Sequence, residues 1–288
     1  MQELKQFEIP GRLSFIEGEG GLLKIVIDTA SSDAEIYLHG AHITHFRKKG
    51  EEPILFMSAA SDFALEKPIR GGIPIIFPWF GPRDGLPAHG FARLLAWTLR
   101  ETTQMPDGSV CLCFCMPTTE LYDAEFRVTI GDCLSMELSV RSSHPKEVEL
   151  ETCLHTYFKV SSIDEISIHG LRNVSYMDKI NTKVCVETAP AIEISSEVDR
   201  VYFDTPTTVE IEDRGFGRKI CIEKSMSNST VVWNPWIEKS MRMPDFCDDE
   251  YQQMVCVESG NVAKNQVVLK PKETAVMKVV VKSEKLPI

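Results

Sequence analysis

The chain has 288 residues, 43% hydrophobic and 25% charged, with a formal net charge of −11. Length and balance suit a soluble globular protein with a sizeable core. The lack of a clustered Lys/Arg tract argues against nucleic-acid or anionic-membrane partners. The N-terminal MQELKQFEIPGRLSF has no apolar h-region, and the longest apolar stretch, GGIPIIFPWFGP, is too short to span a bilayer. Nine cysteines are an odd number, so a cytoplasmic protein with reduced thiols is expected.

The predicted elements are almost all strands. Period-two, β-branched segments occur at 22–29, 34–40, 109–116, 125–130, 133–142 and 147–160. They continue at 164–170, 207–213, 219–225, 229–234, 251–259, 265–270 and 275–284. Gly, Pro, Asn, Asp and Ser separate them at the spacing of a β-sandwich or barrel. Helical signals are confined to short turns near Ser58–Leu65 and Ile237–Met243, and no repeat or linker divides the chain. One all-β, antiparallel domain over 1–288 is expected.

Taken in order, the first cluster with possible chemistry is His39, His42 and His45 in LHGAHITHF. On a strand, residues 39 and 45 face one way and 42 the other, so no metal set is expected. Next comes the Gly- and Pro-rich run Lys67–Trp97, which cannot form a regular central strand and reads as a long structured loop. It carries Arg70, Arg83, His89 and Arg93 among Phe77, Trp79, Phe80, Phe91 and Trp97. Aromatic faces beside arginine donors suit a sugar ring bearing an anion. A proline-rich cap with solvated arginines is the plainer alternative. Cys111, Cys113 and Cys115 alternate along one strand face and read as core cysteines, not a metal knuckle.

In Val148–Val160, read as one strand, Val148, Leu150, Leu154 and Phe158 alternate with Glu149, Glu151, His155, Tyr157 and Lys159. His155 therefore lies on the polar face. Glu258 follows the apolar run Met254–Val257, where Ser259-Gly260-Asn261 is expected to end the strand. Burying such groups costs several kcal/mol (about 3–5 for a broken pair) unless they are paired or used. A histidine and a carboxylate facing one cavity make a general acid/base couple. Trp233 and Trp236 suit either sugar stacking or wall packing.

RGGIP–FPWFGP, HGFAR, HTYF, VDRVYFDT, VVWNPW and CVESGN occur in this order between Arg70 and Asn261, and the resemblance they carry spans roughly Tyr37 to Val262. Together they resemble the aldose 1-epimerase superfamily, and more narrowly its glucose-6-phosphate 1-epimerase (hexose-6-phosphate mutarotase) branch. The resemblance implies a large antiparallel β-sandwich of the galactose-mutarotase type, with the sugar in an open groove and neither cofactor nor metal. It implies Glu258 as the base on the C1 hydroxyl and His155 as the acid on the ring oxygen. It further implies sugar contacts from His89 and Asp204, and a phosphate grip from Arg70 and Arg93. Asp204 precedes Thr205-Pro206, which is also good turn chemistry.

The expected activity is exchange of the α and β anomers of a hexose 6-phosphate, glucose 6-phosphate first, by a monomer whose only partner is the sugar phosphate. The alternatives are an epimerase of unphosphorylated aldoses or a non-catalytic sugar binder on the same scaffold. A glycosidase is disfavoured because the resemblance supplies a histidine where a second carboxylate would be required.

Overall fold

The computed structural model describes residues 2–287, and they form two large antiparallel sheets with smaller ones beside them. The first large sheet runs Lys183–Val186, Ser175–Asp178, Val198–Phe203, Ser229–Asn234, Met254–Asn261, Thr152–Leu154 and Ile75–Ile76. Tyr157–Lys159 also pairs with Met254–Asn261. The second runs Ile166–His169, Thr208–Asp213, Arg218–Ser225, Thr274–Lys285, Leu134–Ser142, Tyr122–Ile130, Val110–Cys115 and Thr98–Gln104. A four-stranded sheet from Leu13–Glu17 to His42–Lys48 packs on the same core.

Alternation explains the layering. Tyr202, Val232, Val255 and Val257 of the first sheet share one hydrophobic cluster with Val209, Ile222, Phe126 and Val281 of the second, which makes a sandwich. The other side chains of the first sheet, Asp199, Val201, Val231, Trp233, Cys256 and Glu258, therefore face outward. They are still buried or nearly so, because the loop between Lys67 and Trp97 and the segment after Trp236 cover that face.

Several expectations are refined. Val148–Val160 is three short strands, Val148–Leu150, Thr152–Leu154 and Tyr157–Lys159, since Glu151 and His155 turn aside to serve the covering loop. The Glu151 carboxylate accepts from Phe80 N–H (2.8 Å) and Ala263 N–H (2.7 Å), and His155 N–H donates to Pro74 O (3.0 Å). The last long strand does not stop after Glu258. It continues through Asn261, paired with Thr152–Leu154 on one side and Ser229–Trp233 on the other. Trp236–Ser240 forms a short helix, whereas 58–65 holds only turns and bends.

Cys111, Cys113 and Cys115 share a face as expected, but it is the outer face of the second sheet, because Val110, Leu112 and Phe114 take the core side. Cys113, Cys115 and Glu125 lie close together there, and Arg127 Nη2 donates to both Glu125 (3.0 Å) and Cys113 (3.7 Å), so a guanidinium already occupies that cluster. The three histidines near residue 40 part company. His39 and His42 hold the loop through the carbonyls of Lys67 and Gly71 (both 2.8 Å), and His45 pairs with Asp33 (2.7 Å). No helix among the described residues is long and apolar enough to cross a membrane.

Lys224 is a buried cation with three oxygen partners, Thr205 Oγ1, Ser229 O and Thr230 Oγ1, and burial pulls its pKa down to about 7. Its unfolded value is near 10.5, so between these limits the unfolded chain binds the extra proton and stability rises with pH. Wild type should gain about 2 kcal/mol over Lys224→Met between pH 7 and 9 in chemical denaturation. A pH-independent difference between the two would contradict this account of Lys224.

Candidate active site

A cavity of about 310 Å³ opens on the covered outer face of the first sheet, near the lower end of the size range of small-molecule sites. Its lining includes Arg70, His89, His155 and Glu258, contributed by the loop, the turn after Leu154 and the long strand. Tyr157, Lys179, Asp199, Trp233 and Lys239 complete most of the wall. Register explains the convergence. Glu258 pairs across the sheet with Val231, Trp233 pairs with Asp199, and Tyr157 pairs with Cys256, so all these side chains leave one face of the sheet.

At the floor, His155 Nε2 lies 3.2 Å from Glu258 Oε1. The Glu258 side chain is 1% exposed and that of His155 10%. Burial pushes Glu258 well above the ordinary carboxylate range and His155 well below the ordinary histidine range, the latter helped by His89, Arg93 and Arg70. These opposite shifts favour an uncharged pair, a protonated carboxyl beside a neutral imidazole. The His155 ring stacks on Tyr157 (4.8 Å between centroids, 11° between planes). Its Nδ1 has no partner among the described residues.

His89 reaches the cavity from an unusual backbone. Its φ of +65° lies in the left-handed region, and Gly90 follows where an added Cβ would meet Phe77 O at 2.0 Å. Gly81 N–H donates to His89 Nδ1 (3.3 Å), which leaves the ring proton on Nε2 as a hydrogen-bond donor. Burial, aided by Arg93, Lys179 and Arg70, pushes His89 down to about 3, so the ring stays neutral.

Three cations line the cavity. Arg70 donates to Asp245 (2.9 and 3.1 Å) and to Tyr157 Oη (2.9 Å). Lys179 and Lys239 flank Asp199, at 3.6 and 3.8 Å. Burial raises the Asp199 pKa against the pull of both lysines.

Of the six residues singled out in the sequence, four line the cavity: His155, Glu258, Arg70 and His89. Arg93 does not. Its guanidinium is buried behind the cavity lining, donating to Ala88 O (2.8 Å) with Nε unpartnered. Asp204 is misplaced by the reading from VYFDT. It sits past the end of Val198–Phe203, exposed, at φ +50°, bound to Lys264 (2.9 Å) and Asn265 (2.7 Å). Asp199 is the carboxylate that faces the cavity instead. The alternation Asp199, Val201, Phe203 in VDRVYF held that signal, since Val201 and Phe203 pack on the outer face beside Val231. Lys179 and Lys239 carried no comparable signal, because exposed-looking lysines are common.

A larger concavity, about 630 Å³, lies against the four-stranded sheet and contains the His45–Asp33 pair. There Asp33 is also paired with Arg47 and Lys49, and with His45 and Arg47 as hydrogen-bond donors its carboxyl is held low despite burial. That is a solvated ion network, and it offers no buried histidine–carboxylate contact like the one at His155 and Glu258.

The family pattern for aldose 1-epimerase matches residues 24–282. A provisionally named glucose-6-phosphate 1-epimerase of Escherichia coli is 34% identical over 86% of this chain and 86% of its own length. A plant relative from Cenchrus ciliaris with the same provisional name is 34% identical over 90% of this chain and 84% of its own. The crystal structure of a provisionally named mutarotase from Salmonella typhimurium superposes with a TM-score of 0.89 at 28% identity, covering 99% of each chain. With the fold, the cavity and these matches in agreement, the chain belongs to the aldose 1-epimerase family of isomerases.

Proposed function

We propose that the protein is a mutarotase that exchanges the α and β anomers of a hexose 6-phosphate, with glucose 6-phosphate as the first candidate. The observation that carries this reading is the buried His155–Glu258 contact at the floor of a cavity that also presents Arg70, Lys179 and Lys239. An acid/base couple suits a hemiacetal, and three cations suit a substrate that brings a phosphate.

In this mechanism the seated sugar parts the couple, with the carboxyl proton passed to His155 and Glu258 left as carboxylate. Glu258 removes the proton from the C1 hydroxyl. The C1–ring-oxygen bond breaks with its electron pair going to the ring oxygen, which takes the proton from the His155 imidazolium. Rotation about C1–C2 presents the other face of the aldehyde. Closure then reverses both transfers, so no net proton is consumed. In this proposal His89 Nε2–H and Asp199, which both line the cavity, hold ring hydroxyls, the first as donor and the second as acceptor.

The active unit proposed is a monomer. The nine free cysteines suit the reducing cytoplasm, the location proposed.

The test is to dissolve pure α-glucose 6-phosphate and follow its anomer exchange by NMR, with and without enzyme, beside α-glucose. Much greater acceleration of the phosphorylated sugar than of glucose is expected. Equal acceleration of both sugars would remove the phosphate assignment, and acceleration of neither would remove the activity.

A further inference from the structure

Glu258 meets a second group besides His155. Its other oxygen, Oε2, lies 3.4 Å from the thiol of Cys153, which is fully buried on the strand Thr152–Leu154. Among the described residues this thiol is the donor that reaches Oε2. Cys153 pairs directly with Gly260, two residues along the strand from Glu258, so it is a diagonal neighbour on the same face. The space it uses exists because residue 260 is glycine. A Cβ there would stand 2.8 Å from Cys153 Cβ, 2.9 Å from its Sγ and 2.6 Å from Thr152 O. The missing side chain at 260 and the thiol laid over it are complementary.

We infer that Cys153, seated over Gly260, is a positioning residue for the proposed base: its S–H fixes Glu258 Oε2, so that Oε1 is presented to His155 and substrate, and it favours the carboxylate form. This rests on the acid/base reading of the site above.

The surroundings leave that task open. Glu258 is faced by His155 and Tyr157 from the adjoining turn and strand, by Asp199 from Val198–Phe203 and by Lys179 just past Ser175–Asp178. Arg93 and Arg70 approach from the covering loop, and Cys256 lies on its own strand. Burial and Asp199 oppose its ionisation; the cations act through space, while the thiol acts by contact. Burial and the neighbouring carboxylate raise the Cys153 thiol well above its ordinary value, against the opposing charge of Lys224, so it remains a proton donor when Glu258 is ionised. A hydrogen bond to a charged acceptor is the kind whose loss is felt most, because the alternative is a bare buried oxygen.

The experiment compares Cys153→Ala, Cys153→Ser and Glu258→Gln with wild type on α-glucose 6-phosphate across pH. In parallel, the Glu258 carboxyl is followed by 13C NMR in glutamate-labelled protein. Cys153→Ala is expected to cut kcat by about tenfold with KM little changed, and to move the Glu258 protonation midpoint to higher pH. Cys153→Ser keeps a donor and should stay within about threefold of wild type with the midpoint unraised. A cavity left by the alanine would lower stability without moving the midpoint, so the titration separates positioning from packing. If Glu258→Gln is inactive while Cys153→Ala matches wild type in kcat and midpoint, the assignment of Cys153 falls and the acid/base reading stands. If Glu258→Gln is as active as wild type, the acid/base reading itself falls. If Cys153→Ala does not fold, Cys153→Ser and the midpoint decide: a serine variant with a raised midpoint and tenfold lower kcat overturns the assignment.

Discussion

Glu258→Gln should slow enzyme-catalysed anomer exchange by about 10²- to 10⁴-fold, measured as the α-to-β rate above the uncatalysed background. Glutamine keeps the shape and the contact to His155 but cannot take the proton of the C1 hydroxyl. Because the buried carboxylate is the feature that burial disfavours most, the substitution should also leave the fold intact or stabilise it. His155→Ala should lose rate over the same range, and the double variant should be little worse than either single one. The two groups lie 3.2 Å apart and act on one hemiacetal as a unit, so their effects are not additive. Full activity in either single variant would place the chemistry elsewhere.

The second large effect is expected at Arg70. Arg70→Met should raise KM for glucose 6-phosphate by about 10- to 100-fold, the range for loss of a charge-assisted contact, while exchange of free glucose changes little. The side chain is held as a fork by Asp245 and Tyr157, so its outer edge is pre-aimed at the cavity. Arg70→Lys should recover only part of the loss, because an ammonium keeps the charge without the planar fork. Since Arg70 also ties Tyr157, on which His155 stacks, kcat for the free sugar serves as the control for a disturbed floor. Equal damage with phosphorylated and free sugar would mean that Arg70 supports the floor and not the phosphate.

These two effects depend on groups the sequence disclosed to different degrees. His155 and Glu258 stood out because an ionisable side chain in a strand-like apolar run is costly, and that cost is a local property. The alternating pattern also fixed the polar face of His155, which survived even though its strand is broken on both sides. Asp204 misled because a short polar residue just past a strand serves a turn as readily as a ligand. It holds Asn265 and Lys264 at the surface. Asp199 was readable only by extending the alternation of VDRVYF backward to a face whose exposure was unknown. Arg93 has the neighbourhood the sequence suggested but is buried behind the lining, where its guanidinium donates to the Ala88 carbonyl.

The amino-acid sequence by itself determined the strand periodicity, the all-β class, the long loop that no central strand could accommodate, and the two ionisable residues worth burying. These follow from period-two alternation, turn chemistry and desolvation cost, which act over a few residues. Only the tertiary structure decided which outward faces are covered, that Glu258 is mid-strand and touches both His155 and Cys153, and that Lys179, Asp199 and Lys239 share their cavity. Those facts depend on the pairing register between strands far apart in the chain. A one-residue slip there would turn every one of these side chains to the opposite face.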